Sequence, residues 1–139
     1  MQIRHVLMKV DDQDKALAFY TEILGFEVAE DRPGEIRWLT VKSPEGADGV
    51  ELVLEPSRFA PGLAAQKALY DGGFPATVLS TMDVRADYAR LSALGVVFRG
   101  VPRPMGPVVA VPFEDTCGNL IMLVQQPGES AGAAERQTS

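Results

Sequence analysis

The sequence has 139 residues, of which 46% are hydrophobic and 23% are charged, and this balance is typical of a folded globular chain. The length is sufficient for one domain with its own core, or for two small repeated modules that share a core. A net charge of -6 and scattered basic residues argue against a nucleic-acid partner and an anionic membrane surface, because phosphate binding needs a basic face.

The single cysteine, Cys117, excludes an internal disulfide and a cysteine-rich zinc site, and it suits a reducing compartment. The N-terminal segment alternates apolar and charged residues, so it lacks the apolar centre of a signal peptide. No apolar run approaches the length of a membrane span. We therefore expect a cytoplasmic protein with no membrane partner.

The first 56 residues are predicted to form a β-α-β-β-β unit. Residues 3–10 alternate as in a strand, and one face of this strand carries His5, the only histidine. Asp11 and Asp12 are candidate caps for the following helix, which is predicted to stop at Gly25. Three further strands are predicted at 26–29, 36–41 and 50–55, with turn residues between them.

Residues 57–75 are predicted to be a connector, in which 63–70 could form a short helix. The same order of elements recurs within 76–126, where the helix is stopped by Gly95. The five elements are predicted at 76–82, 84–94, 96–98, 108–113 and 120–125. Residues 127–139 are small and polar, so we expect this tail to be disordered.

The two units align residue by residue at the end of the helix. This stretch is Ile23-Leu24-Gly25-Phe26 in the first unit and Ala93-Leu94-Gly95-Val96 in the second. Neither half can bury a sheet face alone, so the halves must pair. The repeat predicts an α+β fold of two tandem βαβββ modules, which form a curved, partly open mixed sheet around a concave cavity with the helices outside.

Several segments resemble one known superfamily. They are HVLMKVDDQDKALAFYTEILGFEV at 5–28, the strands at 37–41 and 50–52, the second LGV at 94–96 and the closing DTCGNL at 115–120. Over residues 1–126 the chain resembles the vicinal-oxygen-chelate superfamily, which contains glyoxalases, extradiol dioxygenases and bleomycin- and fosfomycin-resistance proteins. The resemblance implies a small-molecule site inside the curved sheet and a homodimer.

The resemblance also implies a divalent metal held by the first and last strands of each module. The corresponding positions are His5, Glu51, Thr77 and Met122. Imidazole and carboxylate suit Zn²⁺, Ni²⁺, Mn²⁺ or Fe²⁺, whereas a threonine hydroxyl is a weak donor and a thioether suits Cu(I). Two ligands without a third hold such ions weakly, so the sequence predicts an incomplete metal site at His5 and Glu51. Thr77 and Met122 then become candidate ligand-binding residues.

Three more residues are candidates for ligand binding. Lys9 lies on the same strand face as His5, where the resemblance implies a contact with a substrate carboxylate; the alternative is an ordinary surface lysine. Trp38 and Thr40 share one face of a strand, and Trp38 is expected in a cavity wall or in the core. Cys117 has no adjacent base in the sequence, so we do not expect it to act as a nucleophile.

These features leave three functions open. The missing ligands favour a binding or resistance protein that sequesters a small molecule, and the acidic charge would suit a cationic ligand. The alternative is a metal-dependent lyase, isomerase or dioxygenase of the glyoxalase type, in which Glu51 transfers a proton. A third is a metal-free enzyme that acts through His5 and Glu51, because a nearby carboxylate orients an imidazole as an acid-base group.

Overall fold

The structure is a computed structural model that describes residues 1–126, and its elements form two similar units. The first unit consists of β1 (His5–Val10), α1 (Gln13–Ala18), β2 (Glu27–Arg32), β3 (Trp38–Lys42) and β4 (Glu51–Pro56). The connector contains α2 (Ala60–Asp71), which is longer than the predicted 63–70. The second unit consists of β5 (Thr77–Thr81), α3 (Val84–Ala93), β6 (Arg103–Met105), β7 (Val108–Glu114) and β8 (Leu120–Gln125). The tail predicted to be disordered, 127–139, lies outside the described residues.

Each unit forms one four-stranded mixed sheet of the same topology. The strand order is β1-β4-β3-β2 in the first sheet and β5-β8-β7-β6 in the second, and the pairs β1–β4 and β5–β8 are parallel. This confirms the predicted α+β fold of repeated βαβββ modules. Within residues 1–126 no ladder joins the two sheets, so β1 and β5 are edge strands. The module boundaries themselves stay predictions.

The two units share one hydrophobic core. One face of each sheet supplies apolar side chains to a single cluster, including Met8 and Val10 of β1, Phe113 of β7 and Leu123 of β8. Burial of such side chains is the main stabilising term, at roughly 25 cal/mol per Å² of apolar surface. Because the core lies between the units, the opposite face of each sheet is left for other contacts.

No helix of the described residues is both long and apolar enough to cross a membrane.

The helix of the first unit begins and ends as predicted but is not one regular helix. Asp12 caps it by accepting a hydrogen bond from the amide of Lys15 at 2.9 Å. After Ala18 the helix widens into a π-helical turn at Phe19–Ile23, and it stops at Gly25, whose φ is 83°. The wide turn belongs to the buried part of the helix, since it places Tyr20 in the core.

One predicted strand is wrong. Residues 96–98 form no strand, because Phe98 makes only an isolated bridge to β7. The edge strand of this sheet is instead β6, further along the chain. Gly95 and Gly100 have φ values of 92° and 120°, and these left-handed conformations turn the chain out of an extended path on both sides of the segment.

A buried carboxylate links the two units. Asp115 is fully buried and accepts a hydrogen bond from the hydroxyl of Tyr20 at 2.8 Å. Its other oxygen accepts from the amides of Cys117 and Asn119 at 2.7 and 3.0 Å. The side chain of Asn119 donates to Asp115 and to the carbonyl of Lys9 in β1. Burial and the Asp115 charge raise the pKa of Tyr20 well above its usual value, so its hydroxyl stays a donor.

Tyr20→Phe is expected to lower the free energy of unfolding by roughly 1.5–3 kcal/mol, because a buried carboxylate loses a hydrogen bond of the charged type. The measurement is urea denaturation followed by circular dichroism. Tyr88→Phe is the matched control, since Tyr88 packs on Phe98 at 4.7 Å between ring centroids and its hydroxyl has no hydrogen-bond partner among the described residues. Equal losses in the two variants would contradict a linking role for Asp115.

Candidate functional site

The candidate site lies on the face of the first sheet opposite the core. Side chains alternate along a strand, so His5 points away from the core that Met8 and Val10 enter. Strands β1 and β4 are parallel, and His5 lies opposite Glu51 in their register. The two side chains therefore project from the same face. We call this surface, formed by His5, Glu30, Trp38, Thr40 and Glu51, the open face.

The structure brings together four residues that the sequence singled out. His5 Nε2 lies 3.8 Å from Glu51 Oε1, with 32% and 15% of the respective side chains exposed. The same carboxylate oxygen accepts a hydrogen bond of 2.6 Å from the hydroxyl of Thr40, which is fully buried. The imidazole packs edge-on against Trp38, with 5.2 Å between ring centroids. Trp38 is thus a wall of the open face rather than a core residue.

A fifth residue completes the open face and was missed by the sequence analysis. Glu30 accepts a hydrogen bond of 2.5 Å from the indole Nε1–H of Trp38. One donor atom each from Glu30, His5 and Glu51 lie within 4.8 Å of one another. The predicted second strand ended at Ala29, which left Glu30 outside the strand. The observed strand continues to Arg32.

A β-bulge in β2 aims Glu30 at the open face. The pairing with β3 shifts by one residue between Val28 and Glu30, so that Glu30 lies opposite Thr40. In a regular ladder Ala29 would occupy that place, and Glu30 would lie opposite Leu39, which is fully buried in the core. Bulges commonly re-aim a side chain near a functional site. Strict alternation cannot reveal such a residue, because the bulge breaks the alternation.

The donor atoms of the open face suit a divalent metal. They are one imidazole nitrogen and two carboxylates, which are ligands of zinc and of other first-row metals. Tetrahedral ligands with bonds of about 2.0–2.2 Å lie roughly 3.3–3.6 Å apart. Because the donors are already within 4.8 Å of one another, side-chain rotation can close the difference. His5, Glu30 and Glu51 would hold the ion, and the ion would supply Lewis acidity to a bound oxygen.

The second sheet does not contribute Thr77 and Met122 to one face. Thr77 lies opposite Ile121, and Met122 lies opposite Val78. Neighbouring residues of a strand point to opposite faces, so Thr77 and Met122 do too. Val78, rather than Thr77, is the residue that shares a face with Met122. Thr77 lines a cavity of about 250 Å³ together with Glu51. The predicted contacts of Thr77 and Met122 with a ligand stay predictions.

The candidate Lys9 is paired with a neighbouring carboxylate. Lys9 projects from the same face of β1 as His5, and its Nζ lies 3.3 Å from Glu55 Oε2, so its role as an anion contact stays a prediction.

Cys117 is fully buried, and burial together with the Asp115 carboxylate raises its pKa to about 12. Its thiol is therefore protonated at neutral pH, which agrees with the expectation that it is no nucleophile.

Comparison with known proteins identifies the class to which this fold and site belong. The family model described as Glyoxalase/Bleomycin resistance protein/Dioxygenase superfamily matches residues 2–123. The chain belongs to this superfamily, as the resemblance of its sequence segments implied.

One relative and two solved structures are similar to this chain over most of its length. The chain is 48% identical over 118 residues to YurT, an uncharacterized protein of Bacillus subtilis (strain 168), covering 84% of this chain and 93% of YurT. The crystal structure of UcmS2 has a TM-score of 0.77 and 35% identity, covering 89% of this chain and 97% of UcmS2. TnmS3, an antibiotic binding protein from Streptomyces sp. CB03234, has a TM-score of 0.69 and 34% identity, covering 91% and 96%.

Proposed function

We propose that the protein binds a small molecule at the open face and acts as a binding or resistance-type protein. The observation that carries this proposal is the gathering of an aromatic wall, Trp38, with hydrogen-bonding side chains on a partly exposed surface. Ligand sites of this kind combine apolar and aromatic walls with a few well-placed polar groups. The similarity to TnmS3, an antibiotic binding protein, supports the same role.

The charges of the open face favour a ligand that is cationic or rich in hydrogen-bond donors. Glu30 and Glu51 place two carboxylates beside the indole of Trp38. A cation over a tryptophan ring gains about 0.5–2 kcal/mol, and carboxylates at its rim add Coulomb attraction. The net charge of -6 acts in the same direction at longer range.

We also propose that the protein acts as a homodimer in the cytoplasm. The edge strands β1 and β5 carry apolar side chains that are largely exposed in the single chain, at 58% for Leu7 and 60% for Val78. The other edges are protected, since β2 is rich in charged residues and β6 is short and contains Pro104. A second copy at β1 and β5 would cover the exposed edges and enclose the open face.

A reducing compartment suits the free thiol of Cys117.

Cationic antibiotics with planar rings are expected to raise the melting temperature of the protein, because a ligand bound only to the native state stabilises it. The measurement is a thermal-shift panel that includes bleomycin and doxorubicin, followed by calorimetry. Trp38→Ala and Glu51→Gln should each weaken binding by about tenfold, or about 1.4 kcal/mol. Glu114→Gln is the control, since Glu114 lies on β7 of the other unit. Stabilisation that persists unchanged in both open-face variants would place the ligand elsewhere.

Val78→Lys is expected to convert the dimer to a monomer, because a charge on the unpaired edge of β5 opposes strand pairing between copies. Light scattering coupled to size exclusion should give about twice the chain mass of 15.0 kDa for the native protein and the single mass for the variant. Val101→Lys is the control, since Val101 is similarly exposed at 58% but lies outside the strands. A native protein that elutes as a monomer would contradict the dimer.

One observation favours an enzyme of the glyoxalase type, a lyase or dioxygenase, as a second function. Glu51 is fixed by Thr40 beside His5, and this arrangement allows the carboxylate to accept a proton from a bound substrate. The fate of the ligand separates the two functions. Recovery of the bound compound unchanged, as seen by mass spectrometry, supports the binding protein, whereas conversion that Glu51→Gln abolishes supports the enzyme.

A further inference from the structure

We infer that Glu30, which the bulge in β2 turns to the open face, is the third ligand for the divalent metal that the superfamily implies at His5 and Glu51, so that the first unit alone completes the site. This goes beyond the proposed ligand binding, which needs no metal. It also differs from the arrangement expected from the sequence, in which the second unit would have supplied the missing donors. The three donors come from β1, β2 and β4 of a single sheet.

The number of donors decides whether an ion is held. His5 and Glu51 alone form a two-ligand site, whereas catalytic zinc sites normally have three protein ligands and one open position. Glu30 raises the count to three, and all three side chains are partly buried, so the ion is reachable from solvent without being fully hydrated. One nitrogen and two oxygen donors suit Zn²⁺, Ni²⁺ or Co²⁺ better than Mg²⁺, which prefers oxygen.

Each of the two carboxylates, Glu30 and Glu51, is oriented by a hydrogen bond from a neighbouring side chain. Trp38 Nε1–H donates to Oε2 of Glu30, and the Thr40 hydroxyl donates to Oε1 of Glu51. Each contact fixes one oxygen, and among the described residues no hydrogen bond involves the second oxygen of either carboxylate. Outer partners of this kind orient metal ligands, and their loss typically weakens metal affinity by about 10–100-fold. Trp38 and Thr40 are therefore positioning residues.

The bulge at Ala29 is the feature that assembles the site. It turns Glu30 from the core side of the sheet to the open face, and the amide of Glu30 donates to the hydroxyl of Thr40 at 3.1 Å. Glu30 forms a salt bridge with Arg32, whose Nη2 lies 3.4 Å from Glu30 Oε2. The side chain of Arg32 is 67% exposed and that of Glu30 is 41% exposed, and ion pairs near the surface contribute little, so Arg32 does not substitute for a metal.

Tryptophan fluorescence can follow metal binding at this site. Trp38 is the only tryptophan, and its ring lies against His5. Bound Co²⁺ or Ni²⁺ should quench its emission in a saturable way, at one ion per chain, and calorimetry with Zn²⁺ should give the same stoichiometry. Glu30→Gln should weaken the affinity by at least about tenfold, since it removes one of three ligands while keeping the shape of the side chain.

Two matched variants make the test specific. Glu55→Gln changes a carboxylate four residues beyond Glu51 on the same strand face, where it pairs with Lys9, and should leave the affinity within about twofold. Deletion of Ala29 keeps all three ligands but removes the bulge, and should weaken binding as Glu30→Gln does. Circular dichroism checks that each variant is folded.

The opposite results would overturn the inference. They are an absence of quenching and of heat with the native protein at ion concentrations on the order of 1 mM, or native affinity in folded Glu30→Gln. Trp38→Phe, followed by calorimetry, should weaken Zn²⁺ binding by about tenfold without changing the stoichiometry. An antibiotic that binds equally well with and without chelator would leave the proposed function standing even if the metal site failed.

Discussion

A carboxylate removed from water must be surrounded by donors, and this constraint at Asp115 joins the two halves of the molecule. Its donors include the hydroxyl of Tyr20 from the first unit and backbone amides of its own turn. The side chain of Asn119 extends the network to the backbone of β1 through Lys9. The two units are thereby held core to core, and the face of the first sheet that carries His5 and Glu51 is left outside the core.

On that face Thr40 connects the side chains of the candidate site. Its hydroxyl accepts a hydrogen bond from the backbone of Glu30 and donates to the carboxylate of Glu51. One buried side chain on the middle strand β3 thus fixes groups on both neighbouring strands, and His5 and Trp38 close the cluster from the sides. A rigid sheet that holds polar groups on side chains of fixed orientation is the usual way to pre-organise a binding site.

Much of the fold could be predicted because it depends on local patterns. The alternation around His5, the cap at Asp12 and the repeated helix stop at Gly25 are each set by a few neighbouring residues. The positions of the candidate site residues could be predicted only where the strands are regular. Glu30 was missed because a bulge changes the facing of its strand, and Thr77 was equated with His5 because a shift of one residue in register cannot be seen in an aligned repeat.

The central claim is that the open face of the first sheet, centred on Glu51 and Trp38, is the functional surface. The indole N–H of Trp38 gives a single ¹⁵N–¹H signal, because the chain has one tryptophan, and this N–H donates a hydrogen bond to the carboxylate of Glu30. Nuclear magnetic resonance titrations with Zn²⁺ and with an antibiotic that stabilises the protein follow it directly. The signal should shift in both titrations. An indole signal that stays unchanged while backbone signals of the second sheet shift would contradict the claim.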